Sequence, residues 1–319
     1  MEFEQAWGIS FDRAATQLDE QLTVTRDGHV QCCVALSASF YVRDGHTLEV
    51  RQRIVDCFEL YRERVGDVLV WGGDPKTAKA KKVRNTSILD VASWMPRVSP
   101  EDAFEPAFSG GSKSNDASPY RFSALARSPD PDDLSAITFS VPLSWAATRE
   151  QGAYLEAILR AASILRPVHG YAGLAVVLSL VESGSGSDTE PAAALVKRFR
   201  GLDLDFAELQ TESLKTAIKG VGWLTILGDT FVEQLGGSAG LVATLGSNIP
   251  VHAYPGGVVI QAGPHPRFGD VNRAEPMEDY ERVAAVLKPI RTTKLRRLST
   301  LYGLDADRTA RWLERFDKE

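Results

Sequence analysis

Residues 30–42 alternate cleanly. Val30, Cys32, Val34, Leu36, Ala38, Phe40 and Val42 share one face, the period of two that predicts a half-buried strand. After a turn at Asp44–Gly45 the period lengthens. Ile54, Phe58, Tyr61 and Val65 recur at helical spacing, with Thr47 placed to cap the start and Gly66 to end the helix. A short strand is predicted over 68–71, and GGSKSNDASP (110–119) reads as a loop. Residues 120–127 and 136–143 read as antiparallel strands joined through SPDPDD. Thr148 and Gln151 match a capping box ahead of a helix carrying Leu155, Ile158, Leu159, Ala162 and Leu165, which Pro167 stops. Residues 171–180 form a continuous apolar run, the mark of a buried strand. The predicted class is α+β: an antiparallel-rich mixed sheet flanked by helices, built of ferredoxin-like strand–helix–strand units.

Residues 182–190 (ESGSGSDTE) have linker composition and predict an N-terminal α+β half, 1–182, and a C-terminal α+β half, 183–319; one continuous domain is the alternative. Beyond the linker, a helix is predicted over 192–200 and a strand over 221–227. Asp229 is placed to cap a helix over 230–235 that Gly236–Gly237 closes, and a strand is expected at 241–245. Residues 251–254 and 258–261 form a hairpin about Pro255–Gly256, with the Pro-Gly order of a type II turn. Helices over 277–287, 294–302 and 305–316 complete the chain. This strand–helix–strand–strand order echoes the first half, too weakly to establish a repeat.

Composition narrows the class. The chain has 319 residues, 44% hydrophobic and 24% charged, which is ordinary for a globular protein with a large core. The apolar runs at 171–181 and 220–227 are too short to span a bilayer, and MEFEQAWGIS has neither the basic nor the apolar region of a secretory signal. Cys32, Cys33 and Cys57 are odd in number. The adjacent pair points to opposite strand faces, so free thiols in a reducing, cytoplasmic compartment are expected. The net charge of −6 gives no electrostatic reason to hold nucleic acid, but it favours encounter with a basic partner.

Catalytic chemistry is sparse. Gly236–Gly240 (GGSAG) matches the GxSxG pattern around Ser238, but the serine-hydrolase elbow needs a strand entering and a helix leaving, and the predicted order here is the reverse. His29, His46, His169, His252 and His265 form no zinc-type pair, and no phosphate-binding glycine motif is present, so no cofactor is predicted. His46 and His169 read as turn or core residues. The stiff loop GPHPRFGD (263–270) makes His265, with Arg267 and Asp270 close by, the best functional histidine. Asp203, Asp205, Glu208 and Glu212 form an acidic cluster; Asp205 with Glu208 also fits a helix cap. Trp223 is expected in the core, and Trp94 and Trp145 as interface candidates.

The segments GVGWLTILGD (220–229), VHAYPGGVVIQAGPHPRFGDV (251–271), LKPIR (287–291), YVRDGHTLEVRQRIVDCFELY (41–61) and LRPVHGYAG (165–173) resemble the bacterial type VI secretion immunity family directed against VRR-nuclease effectors, over roughly residues 34–291. The resemblance implies a non-enzymatic protein that binds a cognate antibacterial toxin and covers its DNA-cutting cleft. No nucleic acid or membrane is implied as a partner. The carboxylates Asp203, Asp205, Glu208 and Glu212 would stand in for phosphates, with the loop bearing His265, Arg267 and Asp270 as a second contact. A hydrolase using Ser238 or the His265/Asp270 loop is the alternative, and an interaction module without a toxin is a third reading.

Overall fold

The computed structural model describes residues 11–77, 79–84, 86–127, 129, 133–149, 152–179, 189–204, 207–295 and 304–317. In chain order its elements are α1 (Phe11–Gln21), β1 (Thr23–Arg26), β2 (His29–Val42), α2 (Leu48–Val65), β3 (Trp71–Gly73), β4 (Ala80–Lys82), α3 (Val91–Trp94), β5 (Ala107–Ser109), β6 (Arg121–Leu125), β7 (Ser135–Val141), α4 (Leu143–Ala147), α5 (Ala153–Leu165) and β8 (His169–Leu178). Then come α6 (Thr189–Arg198), β9 (Asp203–Leu204), β10 (Leu224–Gly228), α7 (Asp229–Gln234), α8 (Gly237–Leu245), β11 (Val251–Tyr254), β12 (Gly257–Gln261), α9 (Glu278–Leu287) and α10 (Ala306–Leu313). Short 3₁₀ turns stand between several of them.

Among the described residues, twelve strands form one sheet in the order β11-β12-β10-β8-β2-β7-β6-β5-β3-β4, with β1 beside β2 and β9 beside β8. The β8–β9 pair is parallel and the other pairs are antiparallel. The stretch β8-β2-β7-β6 has the strand order of a ferredoxin-like unit, with α2 and α5 as its two crossover helices. From β10 the order β10-β12-β11 repeats β2-β7-β6, so the echo read in the sequence is a topological one. The sheet carries strands from both sides of residue 182. Of the predicted linker, 182–188 lie outside the described residues, and Thr189 opens α6.

Local chemistry explains the best-formed elements. Thr47 caps α2, its hydroxyl accepting from the Val50 amide, and Gly66 ends the helix at φ 70°. Gly256 sits at φ 105° in the β11–β12 turn, where a type II turn needs a glycine.

Four boundaries differ from expectation. The strand expected over 68–71 begins at Trp71. Thr148 ends α4, its hydroxyl donating to the carbonyls of Ser144 and Trp145, and α5 is instead preceded by Gly152 at φ 91°; Gln151 lies outside the described residues. Asp229 is the first residue of α7, after Gly228, and makes no side-chain cap. Residues 241–245, expected as a strand, belong to α8. Leu241 and Leu245, one helical turn apart, are both fully buried while Val242, Ala243 and Thr244 are exposed, a period of four rather than two. The helix expected over 294–302 lies largely outside the described residues.

The main core fills the space between the sheet and α2, α5, α7, α8 and α9. Cys32, Val34, Leu36, Ala38, Phe40 and Val42 point into it, as their alternation predicts, whereas Val30, expected on the same face, packs with Cys33 and Ala35 instead. Phe58, with no exposed surface, stacks on Phe108 at 4.6 Å between ring centres and meets the Phe122 ring at a tilt, 4.9 Å away. Its loss would leave an aromatic-sized cavity. We expect Phe58→Ala to lower unfolding free energy by about 3–5 kcal/mol and Leu48→Ala, at an exposed site, to change it by less than about 0.5 kcal/mol, both read from urea denaturation.

Candidate partner-binding surface

The opposite face of the sheet is small and polar at its centre. Ser37, Ser39, Thr138, Ser140, Arg121, Ser123 and Tyr171 are all buried there. Such a face cannot be closed with apolar side chains, because each buried donor and acceptor needs a partner. It is covered by α6 and by the segment from β9 to Lys219, the stretch that holds the predicted acidic cluster.

The carboxylates are therefore spent unequally. Asp203 lies beside β8 and takes the Lys219 ammonium at 2.8 Å; Lys219 is 3% exposed. Lys219 also donates to Gln210 Oε1 at 3.2 Å, which accepts from the Tyr41 hydroxyl at 3.2 Å, and its ammonium stands 4.7 Å from the centre of the Tyr171 ring. Glu208 accepts from the Ser123 hydroxyl at 2.9 Å, and its carbonyl and Thr211 hold the Arg127 guanidinium. Glu212 is exposed, and Asp205 lies outside the described residues. In place of one acidic patch, the structure shows a cover held down by acids, with Glu212 facing solvent.

The loop 263–273 packs against residues 198–201, which lead from α6 to β9. Phe199 pairs with Asp270, and the amides of Arg200 and Gly201 donate to the carbonyls of Gly269 and Phe268. Gly201 is required here: a Cβ would lie 1.9 Å from the Arg267 carbonyl oxygen. Asp270, 7% exposed, holds Arg198 through Nε at 3.3 Å and a terminal nitrogen at 2.9 Å, and accepts from the Asn272 amide. Arg198 keeps its carboxyl below the usual carboxylate range. Arg267 is half-exposed, its Nε 3.3 Å from Glu275, and His265 is exposed on the loop tip. Fold contacts thus fasten the loop to the connection between α6 and β9, just ahead of the acidic stretch rather than on it. Asp203, Glu208 and Asp270 serve as internal fasteners, leaving Glu212, His265 and Arg267 outward.

The hydrolase geometry does not form. Ser238 lies in the first turn of α8 and follows α7, so a helix rather than a strand enters GxSxG, and the connection expected to run from helix to strand runs from helix to helix. Asp270, the acid of the alternative dyad, is held by Arg198. Trp223 is buried as expected, donating to the Gly263 carbonyl at 3.0 Å. Trp145 is packed inward rather than presented, while Trp94 is half-buried. Trp145 is 4% exposed and covered by the Arg149 guanidinium, and the Trp94 indole donates to the Ile88 carbonyl. Cys32, Cys33 and Cys57 are buried free thiols. No group of metal-ligating side chains and no membrane-length apolar helix occurs among the described residues.

Sequence reading missed the cations Lys219 and Arg198 and the linker role of Gln210. Lys219 had a signal: it is the sole charge between Ile218 and Gly228, a lone cation in an apolar stretch that must find a carboxylate.

The family model described as "TsiV: Type VI immunity for VRR-NUC" matches residues 53–316. No curated protein matches the chain. Among solved structures, the Pseudomonas aeruginosa T6SS protein PA0821 is similar at a TM-score of 0.83 and 29% identity, the alignment covering 96% of this chain and 91% of that one.

His169, whose ring faces Tyr41 and Tyr171 beneath this cover, has no exposed surface and shares a 3.0 Å hydrogen bond with the Leu214 carbonyl. Burial pushes its pKa from 6.5 to about 4. Between those values the unfolded chain binds the proton first, so protonation favours unfolding and stability falls as pH drops. The loss from this residue begins near pH 6.5 and reaches about 3 kcal/mol below the folded pKa. His169→Gln, which keeps a donor but cannot titrate, should flatten that part of the curve in urea unfolding from pH 7 to pH 4.

Proposed function

The chain belongs to the TsiV family of type VI immunity proteins for VRR-NUC, and from that premise we propose that it neutralises a VRR-NUC toxin in the cytoplasm by covering its cleft, without catalysis. The family match over residues 53–316 carries this reading. The likeness to a T6SS protein along nearly the whole chain supports it. Two features of the fold are consistent with occlusion. Both faces of the central sheet are closed. The candidate loop is fastened at Gly201, Asp270 and Tyr280, whose hydroxyl accepts from the Arg267 amide. A surface prepared in this way loses little entropy when a partner docks. Free buried thiols fit a cytoplasmic encounter.

Occlusion is stoichiometric and reversible. Titrating a purified VRR-NUC toxin with this protein should abolish DNA cleavage at a fixed molar ratio, and separation under denaturing conditions should return toxin of unchanged mass. Inhibition at substoichiometric amounts, or a toxin altered in mass, would establish catalysis instead.

The net charge of −6 attracts a basic nuclease before contact. Of the described members of the acidic cluster, Glu212 faces solvent, so Glu212→Lys should slow association by about two- to threefold at low salt and leave dissociation unchanged, the effect shrinking as salt is raised. Stopped-flow or surface-plasmon kinetics at two ionic strengths would check it.

A further inference from the structure

From Gln234 to Pro266 the chain carries no Asp, Glu, Lys or Arg, although 24% of its residues are charged. This run is not simply interior. It includes α8, where Ala239, Val242, Ala243 and Thr244 are exposed and Val242 retains 47% of its surface, and β11, where Ala253 is exposed. A solvated helix normally keeps charge on its outer face, whereas α8 is uncharged all round. Loss of charge with retained exposure is the compositional mark of the centre of a protein–protein interface.

The second observation is the sheet edge that this run supplies. β11 ends the sheet at one side and β4 at the other. β4 carries Lys81 and Lys82, both exposed, the usual protection of an edge against further pairing. β11 (VHAY) carries no such guard. Its register fixes which groups point outward. Gln261 donates to the Pro250 carbonyl and Tyr254 faces Gly257 beside a two-residue turn, so residues 250, 252 and 254 bond to β12. By the alternation of antiparallel ladders, the N–H and C=O groups of Val251 and Ala253 point away from the sheet. Among the described residues no strand pairs with that edge.

We propose that the toxin docks on this uncharged run, adding an extended segment to the unguarded outer edge of β11, with the exposed Val242 and Ala239 of α8 as a further contact. This rests on the immunity reading above and specifies its contact. Surface carboxylates would then act at a distance, in steering, and these uncharged contacts would hold the complex.

The test uses the full chain and a purified VRR-NUC toxin that the unmodified protein neutralises. Ala253→Pro deletes only the outward N–H and spares the β11–β12 ladder, so affinity should fall by about tenfold while the unfolding midpoint is retained. Val242→Glu and Val242→Lys, on an exposed helix position, should each weaken binding tenfold or more, because desolvation penalises either sign of charge. Weakening by Lys alone would mark steering rather than docking and would overturn the proposal. So would unchanged affinity in all three variants, or a dimer of the unmodified protein that Ala253→Pro dissociates without altering toxin affinity. Failure of the unmodified protein to bind any VRR-NUC toxin would instead remove the immunity reading itself, and this contact with it.

Discussion

β2 is paired along both edges and covered on both faces, and each of these demands shapes another part of the molecule. Its inward row of Val34, Leu36, Ala38 and Phe40 is met by α2 and α5 in an ordinary apolar core. Its other row runs through Cys33, Ala35, Ser37 and Ser39, next to Gly173 and Tyr171 on β8 and Ser140 and Thr138 on β7. That row is too small and too polar to be closed by hydrophobic packing. The cover over it must bring hydrogen-bonding groups, and the segment 203–219 does so with Asp203, Glu208, Gln210 and Lys219. A buried ion pair such as Asp203–Lys219 adds little net stability once desolvation is counted, but removing either partner leaves a costly buried charge. The pair therefore fixes where the cover sits more than how strongly it is held.

The same arrangement divides labour across the surface. Acids that looked available for a basic partner are engaged in holding the cover and the loop 263–273. The parts left without charge are α8 and the β11 edge. For an inhibitor of a DNA-cutting enzyme this division has a physical logic. Long-range attraction depends on net charge and tolerates a diffuse source, while a long-lived complex needs a face whose desolvation is cheap.

The second half of the sheet shows how a repeat can be structural while nearly silent in sequence. β10, β12 and β11 follow the order of β2, β7 and β6, yet α7 and α8 replace one long helix and no second partner strand is needed, since β8 already occupies the far side of β10. Sharing β8 fuses the two units into one sheet.

Strand alternation at β2, the Thr47 cap and Gly66 stop of α2, the Pro255–Gly256 turn, the α+β class and the family resemblance were all legible in the sequence, because each depends on residues close together in the chain. The helical state of 241–245 was not: Leu, Val, Ala and Thr suit either form, and the burial of Leu241 and Leu245 against α9 and the sheet decides it. Nor was the fate of the acidic cluster. Asp203 meets Lys219, Glu208 meets Ser123 from eighty-five residues away, and Asp270 meets Arg198 from seventy-two residues away. Charge can be counted along a chain, but whether a charge faces solvent or a buried partner is set by which segments the fold lays against one another.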